Sequence, residues 1–236
     1  MNKIANLSTL DRLFPGESEM AARMRTFDWS KSELGNPENW PSHLQTAVRI
    51  CLTSRFPIVI FWGRNLNLLY NDGIIPFLGH IKHPRALGRR AIESWSEIWT
   101  IIDPMFKSVF ETGQATWSED LNFFFARELP EEEVYVTFTY GPILAEDGQQ
   151  VDGIFCPCRE TTDRVVAARR LETLRRLSTQ APADWSVAMV CRETLQVALE
   201  NPQDIPLAAL YLPNEESDCV SMSSFQVKPD IPLSFV

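Results

Sequence analysis

The chain has no long hydrophobic run. No stretch approaches the roughly 20 apolar residues that span a bilayer, so no membrane segment is expected. The opening MNKIANLSTLDRLF lacks the apolar core of a signal peptide, and a cytoplasmic location follows as the expectation. Basic residues are the minority, with 22 Lys and Arg against 31 Asp and Glu and a net charge of −9. A phosphate-binding surface needs clustered cations, so nucleic acid is not an expected partner. The five cysteines, Cys51, Cys156, Cys158, Cys191 and Cys219, are odd in number and scattered, which fits reduced thiols better than a disulfide framework. No nucleophile–base pair, set of metal ligands or phosphate loop can be picked out, so no catalytic residues, no metal and no enzymatic activity are expected. What is present is ordinary globular material, 44% apolar and 22% charged over 236 residues, enough for one large domain or two small ones.

The clearest pattern lies between Glu133 and Arg164. Val134, Val136, Phe138 and Tyr140 alternate with Tyr135, Thr137 and Thr139, which places the first set on one face of a strand, towards a core. Gly141-Pro142 ends the alternation, and Glu146-Asp147-Gly148 supplies a turn. Gly153 to Cys156 returns as a second strand, which Pro157 should end, bulge or confine to an edge.

In chain order, residues 1–25 read as a loosely attached polar lead, followed by Phe27, Trp29 and Trp40. Leu44, Ala47, Val48, Cys51 and Leu52 then mark an amphipathic helix. Ile58 to Trp62 and Leu66 to Tyr70 form a hairpin, and Asn71 or Asp72 is placed to cap a short helix carrying Ile74, Ile75, Phe77 and Leu78, with Pro76 in its first turn. His80 to Leu87 is loop-like. A helix is expected from Pro104 to Thr112, with Met105, Phe106, Val109 and Phe110 on one stripe and Gly113 just past its end. A third strand runs from Thr116 towards Phe125, and an acidic turn, Arg127 to Glu133, leads into the strong hairpin. Strand–strand–helices–strand–strand–strand predicts an α+β fold, a five-stranded antiparallel sheet with helices on one face.

Beyond Asp163 the pattern changes. Val166, Leu171, Leu174 and Leu177 lie near one helical stripe, with Arg169, Arg170, Arg175 and Arg176 elsewhere, best read as solvated or salt-bridged. A second amphipathic helix carries Val187, Val190, Cys191, Thr194, Leu195 and Ala198. A strand is expected from Leu207 to Leu212 and another from Cys219 to Val227. The divisions are 1–54, an N-terminal extension; 55–162, the sheet domain; 163–180, a linker helix; and 181–236, which at this size buries little core and looks incomplete.

Residues 55–165 together resemble a PAS domain. Leu69-Tyr70-Asn71-Asp72 and the closing Glu160-x-Thr162-x-Arg164 carry most of the likeness. The latter looks like the Asp-x-Thr element that closes many PAS domains, with Glu in place of Asp. The preceding FDWSKSELGNPENWPSHLQTAVRICLTSRFPIVIFWG looks like the N-terminal extension of PAS domains in bacterial sensor histidine kinases, and 171–236 is similar to the opening of a GAF domain. The resemblance implies a sensory input module of a two-component system. Glu160 and Thr162 would relay a change from the last strand to the linker helix. No phospho-acceptor helix and no Gly-rich ATP lid is found in the sequence.

The resemblance also implies a pocket between sheet and helices. By alternation and stripe its lining would include Ile60, Trp62, Leu69, Met105, Val109, Phe124, Phe138, Tyr140 and Phe155, residues that equally well fill a core. A cofactor is not specified. Haem would need an axial ligand such as His80 or His83, which as loop residues read more simply as solvated; Cys51 sits in no flavin-photoreceptor motif, and non-covalent flavin or another small molecule stays open. Cys156 and Cys158 share a strand face, but no second pair completes a metal site, so they read as small buried residues. Glu119-Asp120 and Glu131-Glu132-Glu133 read as solvated charge. A homodimer through the linker helix or the N-terminal helix is the expected assembly, and a ligand-free dimerisation or interaction scaffold is the rival reading.

Overall fold

The computed structural model describes residues 8–179, 182–213 and 220–227. It divides into two compact units, Met1–Thr162 and Asp163–Val236.

The described part of the N-terminal lead is not loosely attached. Helices α1 (Thr9–Leu13) and α2 (Glu19–Thr26) bury Leu13, Phe14, Met20, Ala21 and Met24 at 2% exposure or less. The segment is polar on average, which hides a narrow apolar stripe at helical spacing. Ser8 and Asp11 form a capping box on α1, and Ser18 accepts from the Ala21 N–H at the start of α2. A second cap for α2 comes from far along the chain: the Asp72 carboxylate accepts from the Glu19 N–H at 3.0 Å and the Met20 N–H at 2.8 Å. Phe14, Trp29 and Trp40 then pack together, with ring centroids 4.9 to 6.1 Å apart.

Helix α3 (Ser42–Thr53) buries the expected stripe, Leu44, Ala47, Val48, Cys51 and Leu52. Strands β1 (Ile58–Trp62) and β2 (Asn67–Tyr70) form the first hairpin. Helix α4 (Ile75–Lys82) has Pro76 in its first turn and is kinked at Gly79, where φ is 63° and ψ is 173°. This backbone region is essentially reserved for glycine, and a Cβ here would lie 2.8 Å from Arg127 Cβ. After the single turn α5 (Ala91–Ser94), helix α6 (Trp99–Thr112) starts five residues before the expected Pro104. The missing Pro104 N–H costs one helical bond, offset by burial of Ile98, Ile102, Phe106 and Val109 on one stripe. Gly113 ends α6 in the left-handed conformation, as a C′ glycine does.

Strands β3 (Thr116–Phe125), β4 (Glu132–Leu144) and β5 (Val151–Glu160) complete a five-stranded antiparallel sheet in the order β2-β1-β5-β4-β3. This is the expected α+β class, a five-stranded antiparallel sheet with helices. Helices α4 to α6 cover one face. Part of the other face is covered by α3, whose His43 ring lies 5.3 Å from Trp62. Strand β5 therefore lies in the middle of the sheet, and Pro157 neither ends it nor marks an edge. Pro157 opposes Ile58 on β1, while the ladder to β4 lapses between Phe138/Cys158 and Gly141/Phe155. A proline has no N–H to give there.

The second unit contains α7 (Thr162–Leu177), which opens on the last residue of the first, then α8 (Val187–Leu199) and an antiparallel pair, β6 (Leu207–Pro213) and β7 (Val220–Val227). The arginine run of α7 is largely ion-paired. Arg169 and Arg170 meet Asp204 at 2.7 and 2.9 Å, Arg175 meets Glu172, and Arg176 meets Glu200. Arg169, ahead of the other causes, holds the Asp204 carboxyl below its ordinary pKa. Of the expected stripe, Leu171 and Leu174 are 68% and 63% exposed. Cys219 lies outside the described residues; Cys51, Cys156, Cys158 and Cys191 are buried free thiols.

Candidate functional site

Between the sheet and helices α4 to α6 lies an apolar cavity of about 50 Å³. Val59 and Phe61 of β1, Val136, Phe138 and Tyr140 of β4, Cys156 and Cys158 of β5, and Phe123 and Phe125 of β3 form its sheet wall. Ile74, Phe77, Trp95, Ile98 and Ile102 close it from the helical side. Burial pushes the Tyr140 hydroxyl and the Cys156 thiol well above their ordinary pKa values, so both groups stay protonated.

Of the residues expected to line a pocket, Phe138 and Tyr140 are on this wall. Ile60, Trp62, Leu69 and Phe155 are not. They alternate with wall residues, and their register, Ile60 opposite Leu69 and Phe155, puts them on the sheet face that α3 partly covers. Phe124 is 41% exposed, and its neighbours Phe123 and Phe125 point inward instead. Met105 and Val109 pack in the core from α6 without reaching the cavity. Cys156 and Cys158 share a face, as the strand period requires, and that face is the cavity wall.

At one end of the sheet a polar cluster gathers around Glu160 and Thr162, the closing residues of the first unit. Glu160 accepts a two-pronged contact from Arg127, at 2.9 and 3.0 Å. Arg127 also meets Glu132 at 2.8 Å, and Glu132 in turn accepts from the Glu128 and Leu129 N–H groups. The Thr162 hydroxyl donates to Glu160 at 2.9 Å and accepts from the Tyr135 N–H at 3.0 Å. Thus Glu160 and Thr162, singled out from sequence, touch each other, while Arg127, which joins them to the loop before β4, was not singled out. Glu132 and Asp120 are not simply solvated charge. Asp120 sits at a bulge in β3 with φ of 47° and accepts from the Thr161 hydroxyl at 2.7 Å. A lone arginine beside an acidic run was the available signal for this cluster.

The Arg127 hydrogen bonds, ahead of the other causes, hold the Glu160 carboxyl below its usual range. A carboxylate with a lowered native pKa adds stability above its unfolded pKa of about 4.3, and the gain is lost as pH falls through the native value. The side chains are 15% and 28% exposed, so breaking the pair is expected to cost less than a fully buried one. Arg127→Leu should lower stability by about 2 kcal/mol at neutral pH. Denaturant titrations of both proteins at several pH values check this; the gap should close on acidification, and a gap independent of pH would refute it.

The histidines give no haem ligand. His80 is exposed and meets Glu128 at 3.0 Å. His83 is not a solvated loop residue. It is 9% exposed, with Nε2 3.0 Å from Glu19 Oε1 and Nδ1 3.1 Å from the Tyr70 hydroxyl. The carboxylate only accepts, so Nε2 carries a proton. Neither histidine reaches the cavity. Pockets for drug-sized ligands run to roughly 300–1,000 Å³. A cavity of about 50 Å³ therefore fits neither haem nor flavin. Among the described residues no three His, Cys, Asp or Glu side chains gather as a metal site. No described helix is long and apolar enough to cross a membrane.

No family model matches the sequence, and no curated protein matches it. Solved structures similar to it include a PAS domain from Colwellia psychrerythraea, 18% identical, covering 51% of this chain and 98% of that one at a TM-score of 0.39. The PAS domain of Bordetella pertussis BvgS is 15% identical, covering 57% of this chain and 98% of its own, with a TM-score of 0.41. A sensory box sensor histidine kinase from Vibrio cholerae is 14% identical, covering 50% and 91%, at 0.35.

Proposed function

We propose that the first unit is the sensory input domain of a bacterial signalling protein, the N-terminal part of a two-component sensor histidine kinase, with 181–236 the start of a GAF-like domain. The protein is cytoplasmic and works as a homodimer, and the chain itself performs no catalysis. One observation carries this reading: an unbroken path of contacts from the cavity to the start of α7. Phe77 of α4 borders the cavity. Two residues on, Gly79 packs against the backbone of Arg127. Arg127 grips Glu160, and Glu160 accepts from Thr162, the first residue of α7. A ligand that moves α4 therefore acts on Arg127 and on the strand–helix junction, biasing a two-state element.

Xenon, which enters small apolar cavities, tests the path in the purified chain. Amide exchange at 160–166 should change on xenon pressurisation, and the Arg127→Leu protein should bind xenon without that change. Xenon binding with no effect on those amides in the wild-type chain overturns the proposal. A second reading, a ligand-free dimerisation scaffold, is favoured by the exposed Leu171 and Leu174 of α7; it predicts no xenon uptake at all. The apolar stripe of α3 is already buried within its own unit, which leaves α7 the better-suited contact.

A further inference from the structure

Trp95 borders the cavity and is 6% exposed, yet its indole Nε1–H has no hydrogen-bond acceptor. Buried donors without partners are uncommon in folded proteins and unfavourable. Apart from the Tyr140 hydroxyl and the Cys156 and Cys158 thiols, the wall supplies rings and aliphatic groups, such as Phe61 with its centroid 5.8 Å from that of Trp95. A molecule in the cavity that carries an acceptor oxygen would satisfy this donor. It would have to be neutral, because no charged side chain lines the cavity and an unpaired ion is strongly disfavoured in such surroundings.

The size follows from the volume. A water needs roughly 10–15 Å³ of such space, so about 50 Å³ corresponds to a compact molecule of about four or five heavy atoms. We infer that the cavity takes a small neutral carbonyl compound whose oxygen accepts from Trp95 Nε1. This rests on the reading of the cavity as a ligand site and names the chemistry of its occupant.

The test compares acetone with isobutene, which has nearly the same shape and no acceptor oxygen. Each is titrated into the whole chain with the tryptophan indoles labelled with nitrogen-15. The seven tryptophans give separate indole signals, and Trp95→Phe identifies the one that matters. Acetone should bind about tenfold more tightly than the hydrocarbon, move the Trp95 indole proton downfield, and lose most of its advantage in Trp95→Phe. That variant removes no protein hydrogen bond; should it fail to fold, nuclear Overhauser contacts between the Trp95 indole and the Phe61 ring, whose centroid is 5.8 Å away, make the assignment in the wild-type chain. Equal binding of both probes with the Trp95 signal unmoved overturns the carbonyl inference and leaves the cavity reading standing. Absence of binding by either probe overturns both.

Discussion

Asn71→Ala should destabilise the first unit by about 4 kcal/mol, the sum of several buried hydrogen bonds at roughly 1–3 kcal/mol for each group left unpaired. Asn71 is 3% exposed. Its Oδ1 accepts from the Ile58 N–H at 3.1 Å, and its Nδ2 donates to the carbonyls of Cys51, Ser54 and Phe56 at 3.0, 3.2 and 2.8 Å. One side chain thus closes the C-terminal end of α3, fixes the loop after it and starts β1. Alanine strands all of these groups where water does not replace it. Asn71→Asp should be worse still, because it keeps the shape and turns an oxygen towards three carbonyls. Urea titration checks both: midpoints should fall in the order wild type, alanine, aspartate, with little change of slope. An alanine variant within about 1 kcal/mol of wild type would show that the loop re-forms around the loss.

Phe106→Ala has a comparable expected cost, about 4 kcal/mol. Phe106 is 1% exposed on α6, with ring centroids 4.7 Å from Phe61 and 4.5 Å from Tyr140. Those two rings are also cavity wall, so truncation leaves a void beside an existing one. The variant should be less stable in the same titration and should regain part of the loss when benzene is added, since ligands of the native state stabilise by mass action. A loss with no recovery in benzene would mean that α6 collapses onto the sheet.

How much of this was legible in the sequence depended on which faces are covered. Strand β4 alternates because its outward residues are polar, and Val134, Val136, Phe138 and Tyr140 are all buried at 5% or less. Strand β1 offers no such contrast. Ile58, Val59, Ile60 and Phe61 are all buried, because α3 packs on one side and the cavity helices on the other. With both faces apolar, the sequence holds no parity, and choosing Ile60 over Phe61 as a wall residue was a choice between equals. The triplet Phe123-Phe124-Phe125 has the same difficulty, and only the register with Val134 decides it.

Polar partners were harder for a different reason. Asn71 and Asp72 have the right chemistry for a cap and do cap helices, but not the helix that follows them: Asn71 serves the end of α3 and Asp72 the start of α2. The pairs Arg127–Glu160 and His83–Glu19 are 33 and 64 residues apart, beyond any local period. Glu160 and Thr162 were readable because they are two residues apart at a strand end. The helices of 8–26 had a local sign, Ser8-x-x-Asp11 and Ser18, outweighed by the polar average of the segment.

The Asp72 cap on α2 determines what can be exchanged between proteins. A recombination point placed just before β1 would deliver a sheet with part of one face bare, an Asp72 without its helix and a His83 without Glu19. The transferable cassette begins upstream of α1 and ends at the β5–α7 junction. Lineages that reuse this input domain would have to carry the N-terminal helices along with it, as cargo inseparable from the sheet.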